Sequence, residues 1–266
     1  MCVQQVILAN TQLTVSKFIF GTGSLMRIPF RSERFKLLEL ACELGFTHFD
    51  TAPLYGYGNC EREIGEILQS NSFLTVTTKI GLKPTTSRNL SAKSFLAYKA
   101  YRKVTRNVMP PTRDFSVEWA DLSLKSSLER LRRDRIDLLL LHEAHLSDVK
   151  TNDLITWLEK QKVAGTISEF GISGSRDSID TFAELDVPSS FIRQEAADIF
   201  STKASEAARL AQIRFGYMRQ ITEKQKEIDP LESFSQLVRE NREDAVIIST
   251  TKQNRLRSIT NLREPT

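Results

Sequence analysis

No apolar run in the 266 residues approaches the ~18 consecutive residues that a membrane span requires. Residues 1–16 alternate polar and β-branched side chains and lack the uninterrupted apolar stretch of an export signal. A soluble protein is therefore expected. Cysteine is scarce: Cys2, Cys42 and Cys60 form no metal-ligand spacing, and their odd number argues against a disulfide framework. That points to a reducing compartment, the cytoplasm. Charge of one sign is scarce as well, since a net charge of +4 gives little general attraction to nucleic acid. The Arg132-Arg133-Asp134-Arg135 cluster reads as a solvated helix end. A dinucleotide glycine loop is missing too. Gly56-Tyr-Gly58-Asn-Cys-Glu61 starts like one, but Glu61 stands where the third glycine belongs and would aim a carboxylate at the pyrophosphate. His142-Glu-Ala-His145 ends a strand-like run with no further ligands nearby, so no metal site is expected.

What is present is a single-domain chain, residues 1–266, whose 40% hydrophobic content can fill one large core. Eight strand-like runs fall near 17–20, 47–50, 74–80, 136–142, 168–173, 190–194, 212–217 and 245–249. Helix-period segments follow at 33–44, 61–69, 117–131, 152–163, 176–185, 203–211, 231–239 and 253–262. Such alternation means parallel strands joined by crossovers, and eight units close naturally into an α/β barrel, the (β/α)8 TIM barrel. Residues 4–15 read as a β-hairpin plugging its bottom. Asn59 is expected to cap the second helix, with Glu61 and Glu63 as favourable charges in its first turn.

In this architecture the carboxyl ends of the strands carry the chemistry. Each expected strand end here bears a useful group: Gly21 and Thr22, Asp50 and Tyr55, Lys79, His142, Ser173, Gln194, Tyr217, and Ser249. A phenol with an ordinary pKa of about 10 becomes a proton donor and acceptor if an ammonium stabilises its phenolate. Lys79 supplies that charge, Asp50 holds the amine protonated, and His142 donates to the substrate oxygen or shares its proton. No side chain delivers a hydride, so carbonyl chemistry at this site needs a nicotinamide.

The stretch Phe49-Asp-Thr-Ala-Pro-Leu-Tyr-Gly-Tyr-Gly-Asn-Cys-Glu-Arg-Glu-Ile-Gly65 resembles the signature of the aldo-keto reductases. The resemblance continues through Thr77-Thr-Lys-Ile-Gly81, Ser126-Ser-Leu-Glu-Arg-Leu131, Arg135-Ile-Asp-Leu-Leu-Leu-Leu-His142 and Gly165-Thr-Ile-Ser-Glu-Phe-Gly-Ile-Ser173. It implies a barrel, NAD(P)(H) bound without a Rossmann domain, and a catalytic tetrad of Asp50, Tyr55, Lys79 and His142. Tyr55 is then the general acid and base, with Tyr57 and His142 facing the substrate. Asp50-Thr-Ala-Pro, Tyr55-Gly-Tyr-Gly and Arg113-Asp-Phe-Ser116 are most similar to the branch of D-threo-aldose and L-galactose 1-dehydrogenases.

The cofactor residues implied are Gly21, Thr22, Asp50, Ser173, Gln194, Tyr217, Ser249, Thr250, Thr251, Lys252 and Arg255. Ser173 and Gln194 match the carboxamide-holding pair, but Gly174 stands where the family has Asn, so one amide contact is lost or replaced by water. Tyr217 is placed either to stack on the nicotinamide or to pack in the core. Hydroxyls at 249–251 with Lys252 and Arg255 suit a 2′-phosphate and favour NADP(H) over NAD(H), although Lys252 equally suits a helix cap.

Two departures bear on substrate. The connection 219–230 is short and the chain ends at Thr266, so an open site with a loosely clamped cofactor is expected. The insertion 82–112 holds no Asp or Glu but carries Lys83, Arg88, Lys93, Lys99, Arg102, Lys103 and Arg106. Residues 91–107 read as a capped basic helix, either solvated on the rim or recognising a phosphorylated or carrier-linked sugar. The partner expected is a small carbonyl or sugar substrate, with neither nucleic acid nor membrane. The alternative is a cofactor-binding regulatory protein of weak activity.

Overall fold

The computed structural model describes residues 3–84, 111–149, 153–182, 187–196, 212–217, 221, 230–240 and 243–261. The chain opens on an antiparallel hairpin, β1 (Gln5–Ile7) and β2 (Thr14–Ser16), with Val6 opposite Val15. The next strands are β3 (Phe18–Gly21), β4 (His48–Asp50) and β5 (Thr75–Ile80). A short antiparallel pair follows, β6 (Leu82–Lys83) with β7 (Thr112–Arg113), at the base of the insertion. After it come β8 (Ile136–His142), β9 (Ile167–Gly174), β10 (Ile192–Ala196), β11 (Ile213–Phe215) and β12 (Ala245–Ile248). Strands β3, β4, β5, β8, β9, β10, β11 and β12 close in that order into one parallel barrel, as the alternating pattern predicts.

Outside it lie α1 (Arg31–Glu43), α2 (Asn59–Ser70), α3 (Val117–Leu131), α4 (Asp153–Val163), α5 (Arg176–Thr181), α6 (Pro230–Glu240) and α7 (Gln253–Thr260). Among the described residues no helix is long and apolar enough to cross a membrane. The expected basic helix 91–107, with Lys99, Arg102, Lys103 and Arg106, lies outside the described residues. So do the helix 203–211 and most of the connection 219–230.

The period-two geometry of a strand sorts the barrel into layers. On β8, Leu138 and Leu140 point inward, while Leu139 and Leu141 join the layer beneath the helices. The inward pair packs with Ile19, Ile192, Ile213 and Ile247 and with hairpin residues Leu8, Leu13 and Val15. The hairpin therefore plugs the bottom of the barrel, as expected. Beside this oil some inward positions are polar. His48 is fully buried and meets Thr75 Oγ1 through Nδ1 and Thr77 Oγ1 through Nε2, both at 2.7 Å.

Charges are buried between the barrel and its helices. Arg34 on α1 and Glu63 on α2 pair at 2.6 Å with side chains 1% and 7% exposed. Glu61, fully buried, accepts from Thr78 Oγ1 on β5 and from Arg130 Nε on α3, each at 2.7 Å. Its position in the first turn of α2 is as expected, but its work is a three-element clasp. Asn59 does not cap that helix. Gly58 holds the cap position with left-handed backbone (φ 82), and Asn59 is the first helical residue, donating through Nδ2 to Gly56 O at 2.7 Å. The arginine cluster is likewise not simply solvated. Arg133 donates to the carbonyls of Leu68, Asn71 and Leu74 at 3.2, 3.3 and 3.0 Å, tying the end of α3 to the loop before β5.

Candidate active site

Parallel register brings the strand-end groups level. Asp50 lies opposite Gly21 on one side and Thr77 on the other, and Ser173 lies opposite both His142 and Gln194. Because Lys79, His142, Ser173 and Gln194 each have inward parity, all four face the same mouth as Asp50. Tyr55 reaches it from the loop after β4. That loop makes a tight turn (Tyr55–Gly58) in which Gly56, Tyr57 and Gly58 take φ of 60°, 54° and 82°. Left-handed backbone at Tyr57, which carries a side chain, stores about 1–3 kcal/mol of strain and marks a turn held by its surroundings.

The Lys79 ammonium donates to both carboxylate oxygens of Asp50, at 2.8 and 2.7 Å, and to Thr51 O at 3.0 Å. Gln194 Nε2 adds a third bond to Asp50, reaching Oδ2 at 2.8 Å. These side chains are almost completely enclosed. Burial opposes the ammonium, but the Asp50 carboxylate, with help from Tyr55, outweighs it and raises the Lys79 pKa above its ordinary value. Lys79 is thus a permanent cation at physiological pH.

Tyr55 leans on this cation, with Lys79 Nζ 5.0 Å from the ring centroid. Its ring stands edge-on to His142, the centroids 5.8 Å apart at 86°. Desolvation pushes the phenol above its ordinary pKa, and the charge and hydrogen bond of Lys79 work against that rise. Burial, with the charges of Lys79 and Arg113, drives the His142 pKa down to about 3. At neutral pH the site thus presents a protonated phenol, an ammonium held by Asp50, and a neutral imidazole.

The remaining sequence-predicted residues fall around this centre. Thr22 donates through Oγ1 to Asp50 O at 3.0 Å, so it braces the end of β4. A Cβ at Gly21 would sit 2.3 Å from Ser249 Oγ and 2.5 Å from Ile247 Cγ2, so a side chain there would have to displace both. Tyr217 is buried and packs edge-on against Phe234 of α6 at 6.3 Å, the core-packing placement. Thr250 is buried, and its Oγ1 accepts from Lys252 N at 3.1 Å. Lys252 holds the cap position of α7 without a side-chain cap bond. The Lys252 and Arg255 side chains are exposed, and among the described residues neither has an ion-pair partner.

Sequence reasoning missed two groups at the mouth. Arg113, on β7, pairs with Asp148 at 2.5 Å and donates to the carbonyl of Glu143. Glu143 follows His142 directly and has left-handed backbone (φ 53). Its position next to a strand-end histidine was the one available signal. The direction of its side chain depends on that dihedral, which the sequence does not disclose. Among the described residues no cluster of His, Cys, Asp or Glu is placed to hold a metal.

Comparison with known proteins places these observations. The model of the aldo/keto reductase family matches residues 17–197. D-threo-aldose 1-dehydrogenase of Pseudomonas sp is 33% identical over 164 residues, covering 57% of this chain and 47% of that protein. Pyridoxal 4-dehydrogenase of Microbacterium luteolum is 27% identical over 235 residues, covering 78% and 66%. L-galactose dehydrogenase of Arabidopsis thaliana is 30% identical over 190 residues, covering 68% and 51%. The chain thus spans about half to two thirds of the length of these curated relatives. Among solved structures, an aldo-keto reductase from Bacillus halodurans in its holo form superposes with a TM-score of 0.77 at 17% identity, covering 99% of this chain and 92% of that one.

Proposed function

Because the chain belongs to the aldo/keto reductase family, we propose that it is an NAD(P)(H)-dependent oxidoreductase interconverting an aldehyde or sugar carbonyl and its alcohol or lactone. The observation that carries this reading is the meeting of Asp50, Tyr55, Lys79 and His142 at one rim, although 92 residues separate the first from the last. In the reductive direction the substrate oxygen accepts hydrogen bonds from the Tyr55 hydroxyl and from the neutral His142 ring. The raised phenol pKa keeps that proton in place until the oxygen becomes basic enough to take it. Lys79 then stabilises the phenolate left behind, and Asp50 keeps Lys79 charged and aimed. A nicotinamide held beside Ser173 and Gln194 would supply or take up the hydride. In the oxidative direction the same phenolate takes the hydroxyl proton.

The residues present suit a nicotinamide. Gln194 Oε1 is buried without a hydrogen-bond partner, and a carboxamide N–H would satisfy it, with the Ser173 hydroxyl beside it for the carboxamide oxygen. Exposed Lys252 and Arg255 favour a 2′-phosphate and hence NADP(H) over NAD(H). The substrates in the relatives' names, an aldose, a galactose and pyridoxal, favour a small polyhydroxylated or aldehydic molecule. Tyr55→Phe is expected to bind NADPH with unchanged affinity in a fluorescence titration while turnover over a panel of aldoses and aldehydes falls about 10²- to 10⁴-fold. Undiminished turnover would move proton transfer to another group.

A further inference from the structure

Beside the tetrad stands a carboxylate that the mechanism does not use. Glu143 has left-handed backbone although it carries a side chain, a conformation that persists only where the surroundings enforce it. They do so from both sides. Glu143 N donates to Ser173 O at 2.7 Å, and Arg113, anchored on Asp148, donates to Glu143 O. The turn directs the side chain over β9. Its Oε2 lies 3.6 Å from where a Cβ on Gly174 would stand, so the glycine leaves room for the carboxylate beside Ser173.

The carboxylate has no donor among the described residues, and it is half-buried rather than fully solvated. Among the described residues the cations of this rim are engaged elsewhere, Lys79 by Asp50 and Arg113 by Asp148 and the Glu143 carbonyl. Its charge reaches the reacting phenol, acting on Tyr55 in the same direction as that of Asp50. An acceptor-only group without a donor, next in the chain to His142 and beside Ser173, suits ligands that bring hydroxyl hydrogens and repels ligands that bring negative charge.

We propose that Glu143 determines specificity: its carboxylate accepts hydrogen bonds from hydroxyls of a neutral polyhydroxylated substrate beside Tyr55 and turns away substrates that place a phosphate or carboxylate there. This rests on the oxidoreductase reading and narrows its substrate class against the phosphorylated sugars that the basic insertion suggests. The insertion is common to every variant, so a change in selectivity on altering Glu143 reports on this carboxylate alone.

The test uses NADPH-loaded protein, a panel of neutral aldoses and their phosphate esters, with affinity measured by calorimetry and turnover by absorbance. The wild type is expected to bind its best neutral aldose at least about tenfold more tightly than the matching ester. Glu143→Gln should tighten the ester about tenfold, and Glu143→Ala should weaken the neutral aldose about tenfold, chiefly in KM. NADPH affinity should stay within about twofold in both. An unchanged ratio of neutral to phosphorylated ligand in Glu143→Gln overturns the proposal, as does absence of binding by every aldose. A selective loss of NADPH affinity also overturns it, by making Glu143 a cofactor contact. A wild type that binds neither NADPH nor NADH rejects the oxidoreductase reading itself, whereas bound cofactor with unaltered charge selectivity rejects only the role of Glu143.

Discussion

Gln194 donates through Nε2 to Oδ2 of Asp50 at 2.8 Å, and that one bond decides where the other end of the amide points. A carboxylate only accepts, so the amide nitrogen must face Asp50 and Oε1 must face away. There Oε1 is buried with no partner. An unsatisfied buried acceptor costs about 1–3 kcal/mol, a cost that a ligand N–H removes on binding.

Replacing Gln194 by Leu is therefore expected to separate binding from folding. Asp50 keeps both bonds from Lys79, and the orphaned oxygen disappears, so thermal stability should hold or rise slightly. NADPH affinity should fall about tenfold, the equivalent of one lost hydrogen bond. Fluorescence titration beside a thermal melt distinguishes the two effects. An unaltered affinity would take Gln194 out of the cofactor site.

His48 and His142 give the fold a predictable weakness in acid. Each is buried, and desolvation foremost, with the charge of Lys79, lowers each pKa to about 3. The unfolded chain protonates these rings near pH 6.5 while the native state does not. From about pH 6.5 down to about 3, unfolding takes up a proton at each ring, so stability falls with pH. The slope is about 1.4 kcal/mol per pH unit for each fully titrating group. His48→Gln preserves hydrogen bonding to Thr75 or Thr77 and removes one of these protons. Its stability between pH 4 and pH 6, from urea denaturation, should show a slope shallower by about one proton, and a slope equal to the wild type's would show that His48 takes up its proton in the native state as readily as in the unfolded chain.

The difference between what the sequence discloses and what it hides follows from distance along the chain. Asp50, Lys79, His142, Ser173 and Gln194 are legible because each lies within the last three residues of its strand with inward parity, and parallel register aligns such positions without knowledge of contacts. The barrel is legible for the same reason. Glu61 is not: next to Arg62 and Glu63 it reads as a helix-start charge, and its partner Arg130 lies 69 residues away. Asn59 misleads because a good capping residue follows a glycine whose positive φ takes the cap itself. The charged character of Glu143 is visible, but its orientation rests on a backbone turn held by Arg113, which lies 30 residues earlier.

The Arg34–Glu63 pair supplies a test of how the rim is supported. Arg34 meets both Glu63 oxygens, with its closest approaches 2.8 Å from Nε and 2.6 Å from Nη2. Its Nη1 donates to the carbonyls of Ile28 and Pro29 at 2.8 and 3.0 Å, fixing the loop that leads into α1. Removing either partner strands a buried charge, so Arg34→Met or Glu63→Leu alone should cost about 3–5 kcal/mol. The double variant strands none, but it leaves those two carbonyls without their donor, at about 1–3 kcal/mol each where water cannot reach them. The double variant should therefore unfold in less urea than the wild type, and the cycle should show a favourable coupling of several kcal/mol between Arg34 and Glu63. Below the unfolding transition its turnover should match the wild type, because neither side chain touches the tetrad. Single variants with the wild-type midpoint would mean that relaxation or water entry neutralises the stranded charge.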